Sequence, residues 1–355
     1  MYEDLFHFRF KLPENDCPEP HGNIHYDVQN KIKILANLKK KIDNYYDSTK
    51  KYNIWNCMSR DLNPYEGVSE IYNIITISRA FFKLSEILIS FDIKIPPTST
   101  TLHLCEAPGG FVQSSLLHFN DNLQSFVSVS LDSFIKFHKD IRRNKKGTVI
   151  IEDITSVCGS DAIHEHTPEK GYEFITADGA FDVSDNYEEQ EKITLDLLFN
   201  EITIALSSQS LGGTFIIKLF DFFLDKTWRL ITWLKKCYTH VYICKPPSSR
   251  PVNSERYCVC IGFVRHFHYP VLENSLVNFK LFLTEKLLDF QIDGLKKVFQ
   301  HIAIDESYPS LSEERQYALR ERQELSKKGQ QNYIATYFNR YSSSSCPPAI
   351  PDLLS

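Results

Sequence analysis

The chain has 355 residues, 42% of them hydrophobic and 13% aromatic, which is enough for one large domain with appendages or for two small domains. No run of about eighteen apolar residues marks a membrane span, and the opening MYEDLFHFRF lacks the basic-then-apolar pattern of a secretory signal. A net charge of −5 excludes a uniformly basic nucleic-acid binder; nine irregularly spaced cysteines without a CxxC pair offer no zinc framework and fit a reducing, intracellular setting.

Residues 1–25, rich in proline and polar side chains, read as a loosely ordered lead-in. Residues 26–95 read as a helical extension, because VQNKIKILANLKKKIDNYY and SEIYNIITISRAFFKLSEILISF repeat apolar positions at helical spacing until KIPPTST breaks the pattern. From 96 to 268, short β-branched or aromatic runs alternate with amphipathic stretches: TTLHLCE, QSFVSVSL, GTVIIED, YEFITAD, GTFIIKLF, HVYICKP and ERYCVCIGFV. That alternation predicts an α/β core with a mostly parallel sheet covered on both faces. The link between the last two runs is too short for a helix, so they should pair antiparallel. Cys258 and Cys260 alternate within the last run and fill one face of its strand. Residues 269–335 return to helical patterning, and the Ser/Pro-rich stretch 336–355 reads as a disordered tail.

In an open α/β sheet, ligands sit beyond the carboxyl ends of the strands, where the strand order reverses. LCEAPGGF, at 104–111, ends the first core run and leads into a helix. It is neither GxGxxG nor the Walker pattern, which points to a ligand without pyrophosphate. S-adenosylmethionine suits such a turn: the glycines admit its amino-acid end, and Asp132 and Asp153, after the next two runs, meet ribose hydroxyls and the adenine amino group. An equally open reading makes Gly-Gly a tight turn and the two aspartates helix caps.

Four charged residues stand out against apolar surroundings or at run ends: Lys218 in GTFIIKLFD, Asp178 in YEFITADGAFDVS, Glu255 in SSRPVNSERYCVC and Lys83 in SRAFFKLSEIL. Lysine is rarely buried without a partner. Singly, each has a bland alternative such as snorkelling or surface pairing; jointly, they converge on one rim.

SRAFFKLSEI, LCEAPGGF, ITADGAFDV, LGGTFIIKLFD and KPPSSRPVNSERYCVC, spanning 78–260, resemble the FtsJ-like family of ribose 2′-O-methyltransferases, and specifically its mRNA-cap branch. The resemblance implies a Rossmann-like fold with a seven-stranded sheet containing one antiparallel strand. It also implies S-adenosylmethionine as cofactor without a metal, 7-methylguanosine-capped mRNA as substrate, and other capping or transcription proteins as candidate partners. The family's Lys-Asp-Lys-Glu tetrad falls on Lys83, Asp178, Lys218 and Glu255. Cofactor contacts are expected from Glu106, Pro108, Gly109, Gly110, Phe111, Asp132, Asp153 and Asp178, and RNA contacts from Lys245, Arg250 and Asn253 with the basic run 139–146. In this scheme burial and the neighbouring Lys83 depress Lys218 to a neutral amine that takes the ribose proton, while Asp178 and Glu255 hold the lysines and the hydroxyl. LHLCEAPGGF and TADGAFD resemble enzymes acting on the second transcribed nucleotide; KPPSSRPVNSERY resembles those acting on the first. His103 and Glu106 depart from bacterial relatives, which commonly carry an aspartate and a small residue there. The alternatives are an rRNA or tRNA ribose methyltransferase, and an inactive subunit that binds capped RNA. Nucleus and cytoplasm, including a viral replication site, are not distinguished.

Overall fold

The computed structural model describes residues 6–18, 24–46, 53–65, 68, 75–181, 189–264, 276–307 and 313–337. The seven β-rich runs become β2 (Ser99–Leu104), β3 (Leu123–Ser130), β4 (Gly147–Ile151), β5 (Tyr172–Ala177), β6 (Gln209–Leu219), β7 (Tyr238–Lys245) and β8 (Arg256–Phe263). With β1 (Phe8–Lys11) they form one sheet in the order β1-β7-β8-β6-β5-β2-β3-β4. β4, β3, β2, β5 and β6 pair in parallel, and β8 runs antiparallel between β6 and β7 as the short link requires.

β1 is a correction: the lead-in is not loosely ordered throughout, and the sheet has eight strands rather than seven. Phe-Arg-Phe-Lys alternates over only four residues, too few to register beside the prolines that follow. What makes it a strand is the open edge of β7, against which it pairs antiparallel with Phe8 opposite Lys245.

The helices are α1 (Ile24–Ile42), α2 (Ile54–Asp61), α3 (Ala80–Ser90), α4 (Gly110–Phe119), α5 (Lys139–Arg143), α6 (Val157–Glu165), α7 (Gln190–Ser208), α8 (Asp225–Cys237), α9 (Val277–Ser307) and α10 (Glu313–Tyr337). α3 and α4 cover one sheet face, with Leu84, Leu88 and Phe119 in one cluster with Phe126, Phe174 and Ile216. α7, α8 and the start of α9 cover the other, where Ile202, Trp228 and Leu283 join Phe215, Ile217, Cys258 and Cys260. Each fully buried large apolar side chain contributes about 1.5–3 kcal/mol, so burial on both faces dominates the core's stability and fixes where the strand ends lie. α1, α2 and α9 build a separate cluster around Leu35, Trp55, Leu288 and Leu295. The expected tail lies outside the described residues from 338 onward. Among the described residues no helix is long and apolar enough to cross a membrane.

Strand order reverses between β2 and β5, so the crevice forms where Leu104 and Ala177 end their strands.

Candidate active site

Two neighbouring strands hold the turn after β2. The Asp178 N–H donates to the Leu104 carbonyl at 3.2 Å, and the Glu106 N–H donates to the Val129 carbonyl at 3.1 Å. Gly109 has a φ of 119°, which side-chain-bearing residues rarely adopt, and a Cβ there would lie 2.5 Å from Ile141 Cγ1. Pro108 follows a cis peptide bond, and its carbonyl accepts from the His138 N–H at 2.9 Å.

Several residues expected to touch the cofactor also have work in the fold. Glu106 Oε1 accepts from the N–H groups of Phe111 (2.7 Å) and Val112 (3.0 Å), satisfying the first turn of α4. Burial raises its carboxyl well above the ordinary value, against the pull of those bonds. The Phe111 side chain is fully buried beside Tyr257. A Cβ on Gly110 would collide with Ser78 Oγ and lie 3.0 Å from the Phe81 backbone nitrogen, so this glycine lets α4 approach the start of α3. His103 is buried in β2 between the Thr101 (2.9 Å) and Thr176 (2.8 Å) hydroxyls, and burial lowers it to about 3; it is a neutral core histidine.

Asp132 and Asp153 stand exposed just beyond β3 and β4. Asp132 pairs with Lys136. Asp153 Oδ1 accepts from the Thr155 N–H (2.9 Å) and hydroxyl (2.8 Å) in the turn ahead of α6, whose N-cap is Ser156, so Asp153 does not cap that helix. Acidic side chains at adjacent strand ends, beside the turn at Gly109, suit a molecule bearing hydroxyls, amines and positive charge. The donor set therefore fits S-adenosylmethionine. Among the described residues no group of three or more His, Cys, Asp or Glu is placed to hold a metal.

The four converging charges are brought together. Asp178 follows β5, Lys218 sits near the end of β6, Glu255 immediately precedes β8, and Lys83 lies in the first turns of α3. Lys218 Nζ donates to the Asp178 carbonyl at 2.6 Å and lies 3.1 Å from its Oδ1. Lys83 Nζ lies 2.7 Å from Glu255 Oε2. Antiparallel pairing sets Lys218 opposite Tyr257, whose hydroxyl donates to Asp178 Oδ1 at 3.1 Å. The four side chains are 9–17% exposed, sheltered yet within reach of a substrate. Burial works to raise Glu255, but Lys83, Lys218 and Lys245 outweigh it and bring the carboxyl down to about 2. Its Oε1 is buried and has no hydrogen-bond partner among the described residues.

The expected depression of Lys218 is overturned. Burial does act to lower it, but the carboxylates of Asp178, Glu255 and Glu201 outweigh burial and hold its ammonium above the ordinary lysine value. At an effective dielectric of about 20, unit charges about 4 Å apart interact by roughly 4 kcal/mol, so adjacent carboxylates exceed the desolvation of one lysine. Lys83, bound to Glu255, does not act as a lone repelling cation. Glu201 and Tyr257 were not anticipated. Glu201, on α7, is buried; its Oε1 accepts from the Gly179 N–H at 3.1 Å, and burial raises it to about 8 against the pull of Lys218. A carboxylate inside the apolar stretch LLFNEITIAL is the same signal that singled out Lys218.

Lys245 is also corrected. It is 1% exposed, and its ammonium donates to Ser249 Oγ (3.1 Å), to the Asn253 carbonyl (3.0 Å) and Oδ1 (2.6 Å), and to the Glu255 carbonyl (2.6 Å). It organises the loop between β7 and β8 from within rather than meeting phosphate. Burial drives it well below the ordinary lysine value; Glu255 opposes this, and Arg256 and Lys83 add to it. Arg250 is part-exposed and Asn253 exposed on that loop, and Lys139, Arg142, Arg143, Lys145 and Lys146 are exposed around buried Ile141.

The family described as FtsJ-like methyltransferase matches residues 76–263, just over half of the chain. A Pongo abelii protein named cap-specific mRNA (nucleoside-2′-O-)-methyltransferase 2 is 27% identical over 326 residues, covering 84% of this chain and 40% of its own length. The Ailuropoda melanoleuca cap-specific mRNA (nucleoside-2′-O-)-methyltransferase 1 is 34% identical over 175 residues, covering 45% of this chain and 21% of its own. The cap-specific mRNA (nucleoside-2′-O-)-methyltransferase of Autographa californica nuclear polyhedrosis virus is 29% identical over 232 residues, covering 64% of this chain and 86% of its own. The chain thus spans at most about 40% of the length of these two mammalian relatives. Lys83, Asp178, Lys218 and Glu255 lie inside the matched segment; β1, α1, α2, α9 and α10 lie outside it.

Proposed function

The chain belongs to the FtsJ-like methyltransferase family, and from that premise we propose that it transfers a methyl group from S-adenosylmethionine to a ribose 2′-hydroxyl of capped mRNA. The observation that carries this reading is the pair of ion pairs, Lys83–Glu255 and Lys218–Asp178, with a buried Glu255 Oε1 that has no partner among the described residues. Capped mRNA is favoured because the relatives above are named cap-specific mRNA methyltransferases.

S-adenosylmethionine would supply an electrophilic methyl carried on a positive sulfonium. Asp132 and Asp153 would hold its ribose hydroxyls and adenine amino group, and the 105–110 turn with Asp178 its amino-acid end. A 2′-hydroxyl must be aligned and deprotonated as it attacks. Glu255, its carboxylate fixed by Lys83, offers its buried Oε1 to hold the ribose in place while leaving the 2′-hydroxyl proton to Lys218. Asp178, braced by Tyr257, fixes Lys218 Nζ. The carboxylates keep Lys218 protonated in the empty site, so added positive charge is needed to offset them before its amine takes the ribose proton and passes it to solvent. Arg250, Asn253 and the basic surface at 139–146 meet RNA phosphates, and Lys245 shapes the loop beneath them.

Transfer of a labelled methyl onto matched capped and uncapped RNAs, followed by nuclease digestion, tests this. The expected product carries label on the ribose of the first or second transcribed nucleotide, in capped RNA alone. Equal labelling of structured uncapped RNA would replace this reading with the rRNA or tRNA alternative. Binding of capped RNA without transfer would make the chain an inactive subunit.

A further inference from the structure

Glu86 lies on α3 one turn beyond Lys83 and is fully buried. Its carboxylate is divided between two distant parts of the chain: the Tyr333 hydroxyl of α10 donates to Oε1, and the Ser248 N–H donates to Oε2 at 3.1 Å. Ser248 belongs to the loop that carries Arg250 and Asn253 and ends at Glu255. The proposed chemistry gives neither Glu86 nor Tyr333 a task. Burial raises the Glu86 carboxyl to about 8, a penalty that an apolar side chain would avoid. What a carboxyl group adds is direction, because its two oxygens hold two partners at once.

The same loop is tied down by other residues outside the matched segment 76–263. The His7 ring Nε2 lies 3.1 Å from the Pro247 carbonyl and 3.0 Å from the Ser249 carbonyl. The Gln291 amide of α9 donates to the Val252 carbonyl at 2.9 Å. Gly294 of α9 packs under Pro251, where a Cβ would come within 3.2 Å of the proline Cβ. His7 just before β1, α9 and, through Glu86, α10 thus converge on one loop.

We propose that Tyr333, acting through Glu86, is a positioning residue for capped RNA, so that the C-terminal helix is part of the substrate site although it lies outside the methyltransferase segment. This rests on the loop's role in the proposed function. Tyr333→Phe removes one hydroxyl and keeps the ring in its cluster with Phe81, Phe82 and Tyr337. In full-length protein with a short capped RNA, KM for RNA should rise about fivefold or more, with kcat and S-adenosylmethionine affinity changing far less. Glu86→Gln presents an N–H2 group to one of the two donors and should raise KM likewise. The double variant should be no worse than Glu86→Gln alone, because both substitutions break one connection. Gln291→Ala, an independent anchor, should also raise KM. A Tyr333→Phe protein with a lower Tm and an unchanged KM would overturn the inference and leave the tie merely structural. A parent protein that methylates no capped RNA would overturn the functional reading, and this inference with it.

Discussion

At the scale of single residues, the sign of the charge around Lys218 decides what the site can do before it fills. A lysine beside Asp178, Glu255 and Glu201 is an ammonium, so transfer should speed up as pH rises through the neutral and mildly alkaline range, where the neutral amine becomes more populated. Single-turnover rates across that range check this, and a rate flat with pH would remove Lys218 as the proton acceptor. Glu201 gives a separate handle. Its folded value of about 8 lies above the ordinary 4.5, so between those values the folded protein holds a proton that the unfolded chain has released. Its contribution therefore falls as pH rises through that window. Compared with Glu201→Gln, the parent should lose stability, on the order of a few kcal/mol, from pH 5 to pH 8. Denaturant melts of both proteins at several pH values would show it; parallel curves would contradict it. Glu255 has the opposite sign: depressed to about 2, it stabilises above pH 4.5, and that contribution is lost as pH falls toward 2.

At the scale of elements, the 105–110 turn shows how a glycine can be required for a reason other than ligand room. Gly110 lets α4 sit against Ser78 and Phe81, and backbone on one side leaves little freedom to yield. Gly110→Ala should destabilise the protein by about 1–3 kcal/mol through overpacking, while the folded fraction still binds S-adenosylmethionine. Thermal melts with calorimetric titration separate the two effects, and unchanged stability with lost binding would show that the glycine clears space for cofactor. Much of this level was legible in sequence. Seven strands show as β-branched or aromatic runs because strands covered on both faces stay apolar along their length. The places of Asp178 and Lys218 follow from the rule that ligands meet strand ends. The rest depends on contacts that sequence spacing hides. The raised value of Lys218 comes from Asp178, 40 positions earlier, and from Glu201 and Glu255 on other elements. Lys245 looked like surface charge because its four acceptors are supplied by the fold of the loop that follows it. β1 exists through the edge of β7, which four residues cannot announce.

At the scale of the whole molecule, a family core of just over half the chain is enclosed by elements from both sides of it in sequence. α1 and α2 pack on α9, and His7 before β1, α9 and, through Glu86, α10 reach the loop that leads into Glu255. The buried Arg256–Asp221 pair, 3.0 Å apart, links the start of β8 to the segment after β6 on the same rim. Removing Asp221 takes the nearest counter-charge from a buried guanidinium and leaves it only Glu191, so Asp221→Ala should cost about 3 kcal/mol. Equilibrium unfolding measures that cost, and a loss below about 1 kcal/mol would show that the pair does not brace the rim. Four charges at one crevice are proposed to perform methyl transfer on capped RNA. The most direct test of that proposal compares the parent with Lys218→Ala, measuring labelled-methyl transfer to a capped RNA and S-adenosylmethionine affinity in the same preparations. The parent should transfer to a ribose beside the cap, Lys218→Ala should fall to background, and cofactor affinity should be nearly the same in both. Comparable turnover by Lys218→Ala would contradict the proposal.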